Sequence, residues 1–184
     1  MKLHSKKYGD KGKDLIIIHG LFGMSDNWNT LGKQFSKYCK VHLVDLRNHG
    51  RSPHSTEFNY EVMCGDVLEY MEDNNIDKPI ILGHSLGGKV AMKFAFTHTD
   101  KIEKLIVADI SPRRYNTDFV QNLLRTSYKL PLENFEKREE IDRVLSETYE
   151  DKGMRLFLLK NLYRKENKEF AWRFNIEVLL EKVS

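Results

Sequence analysis

Four short apolar runs recur in the first 110 residues, at positions 15–18, 41–44, 79–82 and 105–108. Each run is too short for a helix and is followed closely by a glycine or an aspartate. Continuous apolar runs of this length are typical of strands that are buried on both faces of a parallel sheet. We therefore predict four parallel strands, and residues 2–8 are expected to add a weak antiparallel strand at the edge.

Helical spacing of apolar residues separates these runs. Asp26 is expected to cap a helix that carries Trp28 and Phe35. Residues 60–74 and 86–96 predict two more helices. This alternation of strands and helices favours βαβ units with right-handed crossovers.

The pattern changes after Pro112, and residues 117–184 predict helices without strands. We place a domain boundary there, so that residues 1–112 form an α/β core and residues 113–184 a helical insertion. By analogy with loops that crown the carboxyl ends of strands, the insertion is predicted to be a lid or cap. The alternative is that these helices simply complete a core. Two of the predicted apolar stripes are Phe119 with Leu123 and Leu124, and Trp172 with Ile176 and Leu179.

Composition narrows the class of protein. The hydrophobic fraction is 40%, the charged fraction 31% and the net charge +3, which favour a soluble globular protein over a disordered, membrane or nucleic-acid-binding one. Cys39 and Cys64 form no CxxC pair, so we expect free thiols in a reducing compartment. The first 14 residues have no apolar signal region. Together these features predict a cytoplasmic protein.

A G-x-S-x-G motif, Gly83-His84-Ser85-Leu86-Gly87, connects the third apolar run to the helical stretch after it. Ser85 would occupy a sharp strand-to-helix turn with a strained backbone, which requires small flanking residues. The turn would project the hydroxyl as a nucleophile and place the N–H of Leu86 at a helix N-terminus, where it can stabilise an oxyanion. His84 is assigned to substrate binding, with its side chain on the opposite side of the turn. The alternative is a plain strand–turn–helix junction.

A second glycine-rich turn, His19-Gly20-Leu21-Phe22-Gly23, follows the first apolar run. Such a turn lets backbone N–H groups face a site above the sheet. Leu21 is the preferred second oxyanion donor. Phe22 is the next candidate, and its side chain is also expected to contact substrate. His19 could act as a base, but we favour a structural histidine that braces the loop by hydrogen bonds.

The segment Asp45-Leu46-Arg47-Asn48-His49-Gly50-Arg51-Ser52 closes the second apolar run. An acid, basic residues and a glycine can hold such a loop in one fixed turn. We therefore predict structural roles for Asp45, Arg47 and Arg51. His49 is expected near the cleft, as a wall rather than as a base.

The motifs HGLFG, DLRNHGRS, GHSLGGK and ADISP occur in the order and spacing of the α/β-hydrolase superfamily, which the chain resembles over nearly its whole length. It is most similar to the small esterase branch that includes bacterial YbfF-type esterases and the eukaryotic abhydrolase-domain 11 proteins. The resemblance implies the α/β-hydrolase fold, with a mostly parallel sheet, helices on both faces and a helical cap insertion. It also implies hydrolysis of small-molecule carboxylic esters or thioesters through an acyl-enzyme on Ser85, with no metal and no organic cofactor.

The resemblance further implies parts that this sequence does not contain. In the family, two more strands and helices follow the cap, and the loop after the last strand carries the histidine of the catalytic triad. We therefore expect the C-terminal strands to be absent and the fourth apolar run to form an unpaired edge. The site would be completed by a missing C-terminal segment or a second chain, and the sequence would be a truncated product, a fragment or one part of an assembly.

Asp109 is the candidate for the acid of the triad, because it ends the strand that follows the nucleophile strand. Bracing of the Ser111-Pro112 turn is the other interpretation of Asp109. No histidine follows His98, which lies roughly 20 Å from Ser85 at about 1.5 Å per helical residue. Without a base, a serine hydroxyl is a weak nucleophile. A catalytically inert binding protein on the same fold is therefore the alternative to an esterase.

Overall fold

The structure is a computed structural model that describes residues 1–183. It separates into two compact units, Met1–Tyr115 and Asn116–Ser184. The predicted boundary after residue 112 lies three residues before this division. Ser184, the last residue of the predicted cap, lies outside the described residues. The role of the second unit as a cap stays a prediction.

The first unit is built on a five-stranded sheet with the order β1-β3-β2-β4-β5. Its strands are β1 Ser5–Tyr8, β2 Asp14–Ile18, β3 Lys40–Val44, β4 Ile80–His84 and β5 Lys104–Ala108. β1 runs antiparallel to β3, and the other neighbours pair in parallel. The four parallel strands and the weak edge strand are therefore confirmed.

Burial differs between the inner strands and β5. Ile16 and Ile18 of β2 and Leu43 of β3 are fully buried, as expected for strands covered on both faces. In β5, by contrast, Leu105 is 38% exposed and Ile106 is 44% exposed. Within residues 1–183, β5 pairs with β4 alone. The described part of the chain therefore has the predicted apolar edge.

Three helices connect the parallel strands of the first unit: α1 Asn29–Phe35, α2 Tyr60–Asp73 and α3 Leu86–Thr97. Asn59 caps α2, because its side chain accepts a hydrogen bond from the N–H of Val62 at 2.9 Å. α2 contacts α3 where the Cys64 thiol donates to the carbonyl of Val90 at 3.5 Å. Burial raises the pKa of Cys64 to about 11.

Asp26 does not cap a helix as predicted. Residues Ser25–Trp28 form a short 3-10 turn, and α1 begins only after it. Asp26 lies inside this turn, and its carboxylate pairs with Arg51 at 3.2 Å and also with Lys6. The Asp26 side chain, which the sequence pattern assigned to a helix N-terminus, is therefore held by Arg51 and Lys6.

The second unit contains four α-helices, one short 3-10 turn at Leu132–Asn134 and one small hairpin among residues 116–183. The helices are α4 Asp118–Tyr128, α5 Arg138–Ser146, α6 Lys152–Leu159 and α7 Ile176–Lys182. The strands β6 Leu162–Arg164 and β7 Phe170–Trp172 pair antiparallel. The prediction that no strand follows residue 117 was therefore wrong, and Trp172 belongs to β7 rather than to a helix.

The core of the second unit combines apolar packing with buried polar contacts. Leu124, Ile141 and Leu145 are fully buried, whereas Phe119 of the predicted stripe is 58% exposed. The Trp172 indole donates to the carbonyl of Ser127 at 3.2 Å. No helix in residues 1–183 has the length and apolar character needed to cross a membrane.

Candidate active site at the carboxyl end of the sheet

Ser85 lies at the junction of β4 and α3, with φ 50° and ψ −117°. A residue with a side chain rarely adopts this backbone conformation, and it persists only where the surrounding structure enforces it. The N–H of Ser85 donates to the carbonyl of Ala108 at 3.0 Å, and its own carbonyl accepts from the N–H of Gly88 at 2.9 Å. The neighbouring strand and the first turn of α3 thus hold the predicted sharp turn in place.

Gly83 and Gly87 show why small residues must flank Ser85. A Cβ atom on Gly83 would lie 2.7 Å from the Cα of Gly88 and would overlap the carbonyl of Gly87. A Cβ atom on Gly87 would lie 2.5 Å from the carbonyl oxygen of His19. These separations are shorter than any normal contact between such atoms, so the turn accommodates only glycine at both positions.

The loop of residues 19–23 lies beside Ser85. A Cβ atom on Gly20 would lie 3.1 Å from the Cβ of Ser85. The N–H of Gly23 donates to the carbonyl of Gly20 at 2.9 Å and closes a turn around Leu21 and Phe22. Leu21, the predicted oxyanion donor, is partly exposed, whereas Phe22 has a φ of 59° and is 5% exposed.

The second predicted donor, the N–H of Leu86, belongs to the first turn of α3. N–H groups in the first turn of a helix have no acceptor within the helix itself, and the helix dipole favours negative charge there. Leu86 and Leu21 therefore lie on the two segments that border Ser85.

His19 and His49 form a buried pair whose ring centroids are 5.2 Å apart. The Nδ1 of His19 donates to the carbonyl of Gly20 at 2.7 Å, and its Nε2 accepts from the N–H of Leu46 at 3.0 Å. Burial lowers the pKa of His19 to about 4 and that of His49 to about 3, so both rings are neutral. The predicted bracing role of His19 is confirmed, because both of its nitrogens are engaged.

His49 does not line an open cleft as predicted, because no part of it is exposed. Its Nδ1 donates to the carbonyl of Arg47 at 3.0 Å, and its ring packs 5.9 Å from that of Phe58. In the sequence, the position of His49 in the loop after β3 suggested a residue that lines a cleft. Its burial depends on the path of the chain around Phe58.

The loop after β3 is held by charged side chains. Asp45 accepts hydrogen bonds from the backbone N–H of Ser25 and from that of Arg51, the latter at 2.9 Å. Arg47 makes a two-pronged contact with Asp66, at 2.6 Å and 2.7 Å. Together with the contact between Arg51 and Asp26, these bonds confirm the structural roles predicted for Asp45, Arg47 and Arg51.

Asp109 directly follows β5 and has a φ of 55°. Its carboxylate is 88% exposed, and one oxygen lies 3.7 Å from the Nε2 of His84. The His84 ring also packs edge-on against Trp28, with the centroids 6.1 Å apart. The structure thus brings His84 close to the predicted acid, a contact that the sequence analysis did not anticipate.

The turn at Ser111 is braced by Tyr115 rather than by Asp109. The N–H of Ser111 donates to the Tyr115 hydroxyl at 3.1 Å. Lys89 and Arg113 lie over the Tyr115 ring, with 5.0 Å and 4.8 Å between their charged groups and its centroid. The pKa of Tyr115 is lowered, mainly by the hydrogen bond with Ser111 and next by the hydrogen bond with Arg113. The sequence analysis missed this cluster, because its contacts depend on how the loop after β5 passes α3.

Two further histidines lie in other parts of the first unit. His98 follows the end of α3, as predicted, and stacks on Phe94 with the ring centroids 4.8 Å apart. His42 lies in β3, where its two nitrogens contact Asp14 and Tyr70, each at 3.0 Å. Neither ring contacts Ser85 within the part of the chain that the structure describes.

Comparison with known proteins identifies a matching family model and several similar proteins. A family model described as the alpha/beta hydrolase fold matches residues 14–177. Esterase YbfF of Escherichia coli is 30% identical, and the match covers 91% of this chain and 64% of that protein. The sn-1-specific diacylglycerol lipase ABHD11 of Danio rerio is 34% identical over 89% of this chain and 53% of its own length.

Solved structures resemble the chain as well. A marine microorganism esterase is 38% identical with a TM-score of 0.96, and the match covers 99% of this chain and 72% of that one. The crystal structure of E-2-(acetamidomethylene)succinate hydrolase shares the fold at 17% identity, with a TM-score of 0.76 and coverage of 97% and 67%. The chain spans 53% to 69% of the length of three curated relatives, from Haemophilus influenzae, Schizosaccharomyces pombe and Danio rerio.

Proposed function

Since the chain belongs to the α/β-hydrolase family, we propose that it is a serine hydrolase that cleaves carboxylic esters or thioesters through an acyl-enzyme on Ser85. The observation that carries the proposal is the backbone of Ser85, with φ 50° immediately before the N-terminus of α3. A strained serine at the start of a helix brings a hydroxyl and oxyanion donors to one place.

The reaction proceeds in two steps. The hydroxyl oxygen of Ser85 attacks the carbonyl carbon of the ester while its proton passes to a general base. The N–H groups of Leu86 and Leu21 stabilise the negative oxygen of the tetrahedral intermediate. The bond to the alcohol or thiol then breaks, and the leaving group takes the proton from the base. Water then attacks the acyl-enzyme with the help of the same base, which releases the carboxylic acid and restores the Ser85 hydroxyl.

Asp109 is the proposed acid of the triad. It directly follows β5, the strand next to β4, and its carboxylate is largely exposed, with His84 at 3.7 Å. An exposed carboxylate at this position can orient a histidine and stabilise it in the charged form. The alternative, in which Asp109 braces the Ser111-Pro112 turn, loses support because Tyr115 contacts that turn.

The general base in this proposal is a histidine beyond residue 184 or on a second chain. Within the described residues, His19 is buried with both nitrogens engaged, and His98 follows the far end of α3. His84 and Phe22 are proposed to contact substrate. His84 borders Gly20 of the oxyanion loop, and Phe22 belongs to that loop.

The substrates are proposed to be small-molecule carboxylic esters or thioesters. The names of the similar proteins, an esterase and a diacylglycerol lipase, support carboxylic esters. We also propose a reducing, cytoplasmic location, because Cys39 and Cys64 are free thiols.

A second candidate function is ligand binding without turnover. It is supported by the surroundings of Ser85, because none of residues 1–183 forms a hydrogen bond with its hydroxyl. A serine without a base retains only the contribution of the oxyanion donors and of binding.

Labelling with a fluorophosphonate, followed by intact-mass and peptide mass spectrometry, tests the proposal. In a protein that also supplies the proposed base, on a segment beyond residue 184 or on a second chain, we expect one adduct on Ser85, no adduct in Ser85→Ala, and unchanged labelling in Ser146→Ala, which alters an exposed serine at the end of α5. Circular dichroism of each variant controls for folding. Equal labelling of that protein with and without Ser85→Ala would contradict the proposal. If that protein is folded and takes no label but binds an ester in a saturable way, the result favours the non-catalytic alternative.

A further inference from the structure

The second unit contains a cavity of about 390 Å³, which the proposed chemistry does not use. It lies between α4 and the segment that follows α5, within residues 116–183. Its volume falls within the range of about 300–1,000 Å³ that is usual for small-molecule sites in proteins.

Two of the residues that line the cavity are aromatic. Phe119 and Tyr149 meet edge to face, with their ring centroids 6.2 Å apart and an angle of 83° between the ring planes. Tyr149 is only 8% exposed, and its hydroxyl bonds to the Oγ1 of Thr126 at 3.1 Å. Phe119, by contrast, is 58% exposed. An aromatic side chain that stays this open on a helix whose neighbouring leucines are buried can contact an apolar group from outside the protein.

Two other residues that line the cavity are cationic. Arg125 and Lys129 are four residues apart on α4 and its C-cap, so their side chains lie on one face of the helix. No aspartate or glutamate is among the described residues that line the cavity. Neither cation has a carboxylate within 4.0 Å in residues 1–183. Arg125 has only a weak side-chain contact with Asn122, at 3.5 Å. Two cations without an ion-pair partner beside an aromatic surface are complementary to an anion that carries an apolar group.

We propose that this cavity is a binding site for a small amphiphilic carboxylate, whose apolar group packs on Phe119 and Tyr149 and whose carboxylate binds Arg125 and Lys129. The inference does not depend on the proposed function, because no step of ester hydrolysis uses these residues.

Titration of the 184-residue chain with octanoate, followed by amide chemical shifts in nuclear magnetic resonance, tests the proposal. We expect saturable binding with shifts at α4 and around Tyr149, and affinity at least about tenfold weaker for octanol, which has the same chain without the charge. Octylammonium, which reverses the charge, is expected not to bind there. Absence of saturable octanoate binding, or equal affinity for octanol, would overturn the proposal.

Matched variants separate the site from general charge effects. Arg125→Gln with Lys129→Gln should weaken octanoate binding at least about tenfold, because two charge-assisted contacts are lost. Arg143→Gln with Lys160→Gln removes the same two charges from corresponding positions, the last turn of α5 and the C-cap of α6, and should leave the affinity unchanged. Phe119→Ser alters an exposed side chain and should also weaken binding. Equal affinity in the two double variants would exclude the site.

Discussion

The two units of the chain are stabilised by different kinds of interaction. The first unit contains ten of the eleven glycines and all seven histidines. Gly83 and Gly87 lie at close backbone approaches, and His19 and His49 form a buried neutral pair. The second unit contains Gly153 alone and no histidine, and it relies on amphipathic helices with buried charge contacts. The first unit should therefore be sensitive to added volume and to pH, whereas the second should be sensitive to the loss of charged groups.

The largest effect is expected from Gly87→Ala. The added Cβ would meet the backbone of His19, which cannot move without displacing the loop beside Ser85. We expect a loss of roughly 4 kcal/mol in the free energy of unfolding, or failure to fold. Urea unfolding followed by fluorescence measures this change.

The matched control is Gly65→Ala in the interior of α2, where an added Cβ would have no neighbour within 4 Å. Alanine there should raise the free energy of unfolding by about 0.5–1 kcal/mol, because glycine disfavours helix. Similar effects of the two substitutions would contradict the steric account of the turn at Ser85.

Acid should act mainly on the first unit. Burial lowers the pKa of His19 to about 4 and of His49 to about 3, so the folded state keeps both neutral while the unfolded chain binds protons below about pH 6.5. Protonation therefore stabilises the unfolded state relative to the folded state as the pH falls. We expect the free energy of unfolding to decrease by roughly 3–4 kcal/mol between pH 7 and pH 5. The decrease ends only below the pKa values of the two histidines in the folded state.

Each unit carries one tryptophan, Trp28 in the first and Trp172 in the second, so single-tryptophan variants report on each unit separately. Unfolding curves of Trp172→Phe, which retains Trp28, should show the pH dependence in full. If the free energy of unfolding stayed constant from pH 7 to pH 5, His19 and His49 would not be held neutral in the folded state.

Loss of one buried cation should destabilise the second unit. Arg155 is 8% exposed, pairs with Asp142 at 2.7 Å and donates to the carbonyls of Tyr149 and Glu150. Arg155→Met leaves these acceptors without a donor and should cost roughly 2–3 kcal/mol. Arg143→Met, at an exposed position of α5, should change stability by about 0.5 kcal/mol or less. Thermal unfolding of the two variants provides the comparison.

The smallest effects concern two helix caps with similar sequences, Asn59-Tyr60-Glu61-Val62 and Asn175-Ile176-Glu177-Val178. The first hydrogen bond, from the N–H of Val62, is 2.9 Å long, whereas the second, from the N–H of Val178, is 3.5 Å long. Asn59→Ala should therefore cost about 1 kcal/mol and Asn175→Ala about 0.5 kcal/mol. Chemical denaturation of both variants measures the free energies of unfolding. A larger decrease for Asn175→Ala than for Asn59→Ala would contradict this prediction.

The sequence predicted the first unit well where steric requirements act locally. The turn at Ser85 follows from Gly83 and Gly87, because no other residue fits beside the neighbouring backbone. The parallel strands follow from runs of apolar residues that are buried on both faces. The contact between His84 and Asp109 could not be predicted, because it joins two strand ends that only the sheet brings together.

The second unit was predicted less well, because amphipathic spacing alone identified its elements. The hairpin of β6 and β7 has strands of three residues, too short for a period of two to be recognised. Trp172 was assigned to a helix for this reason. Phe119 belongs to a predicted apolar stripe with Leu123 and Leu124, but α4 presents it to solvent, because its position depends on the packing of neighbouring helices.

The contrast between the two thiols of the first unit makes the chain convenient to label. The buried Cys64, with a pKa raised to about 11, stays protonated at neutral pH, and only a thiolate reacts readily with a maleimide. Cys39 is partly exposed and directly precedes β3. A single fluorophore or spin label can therefore be attached at one defined point of the unaltered polypeptide without an engineered cysteine.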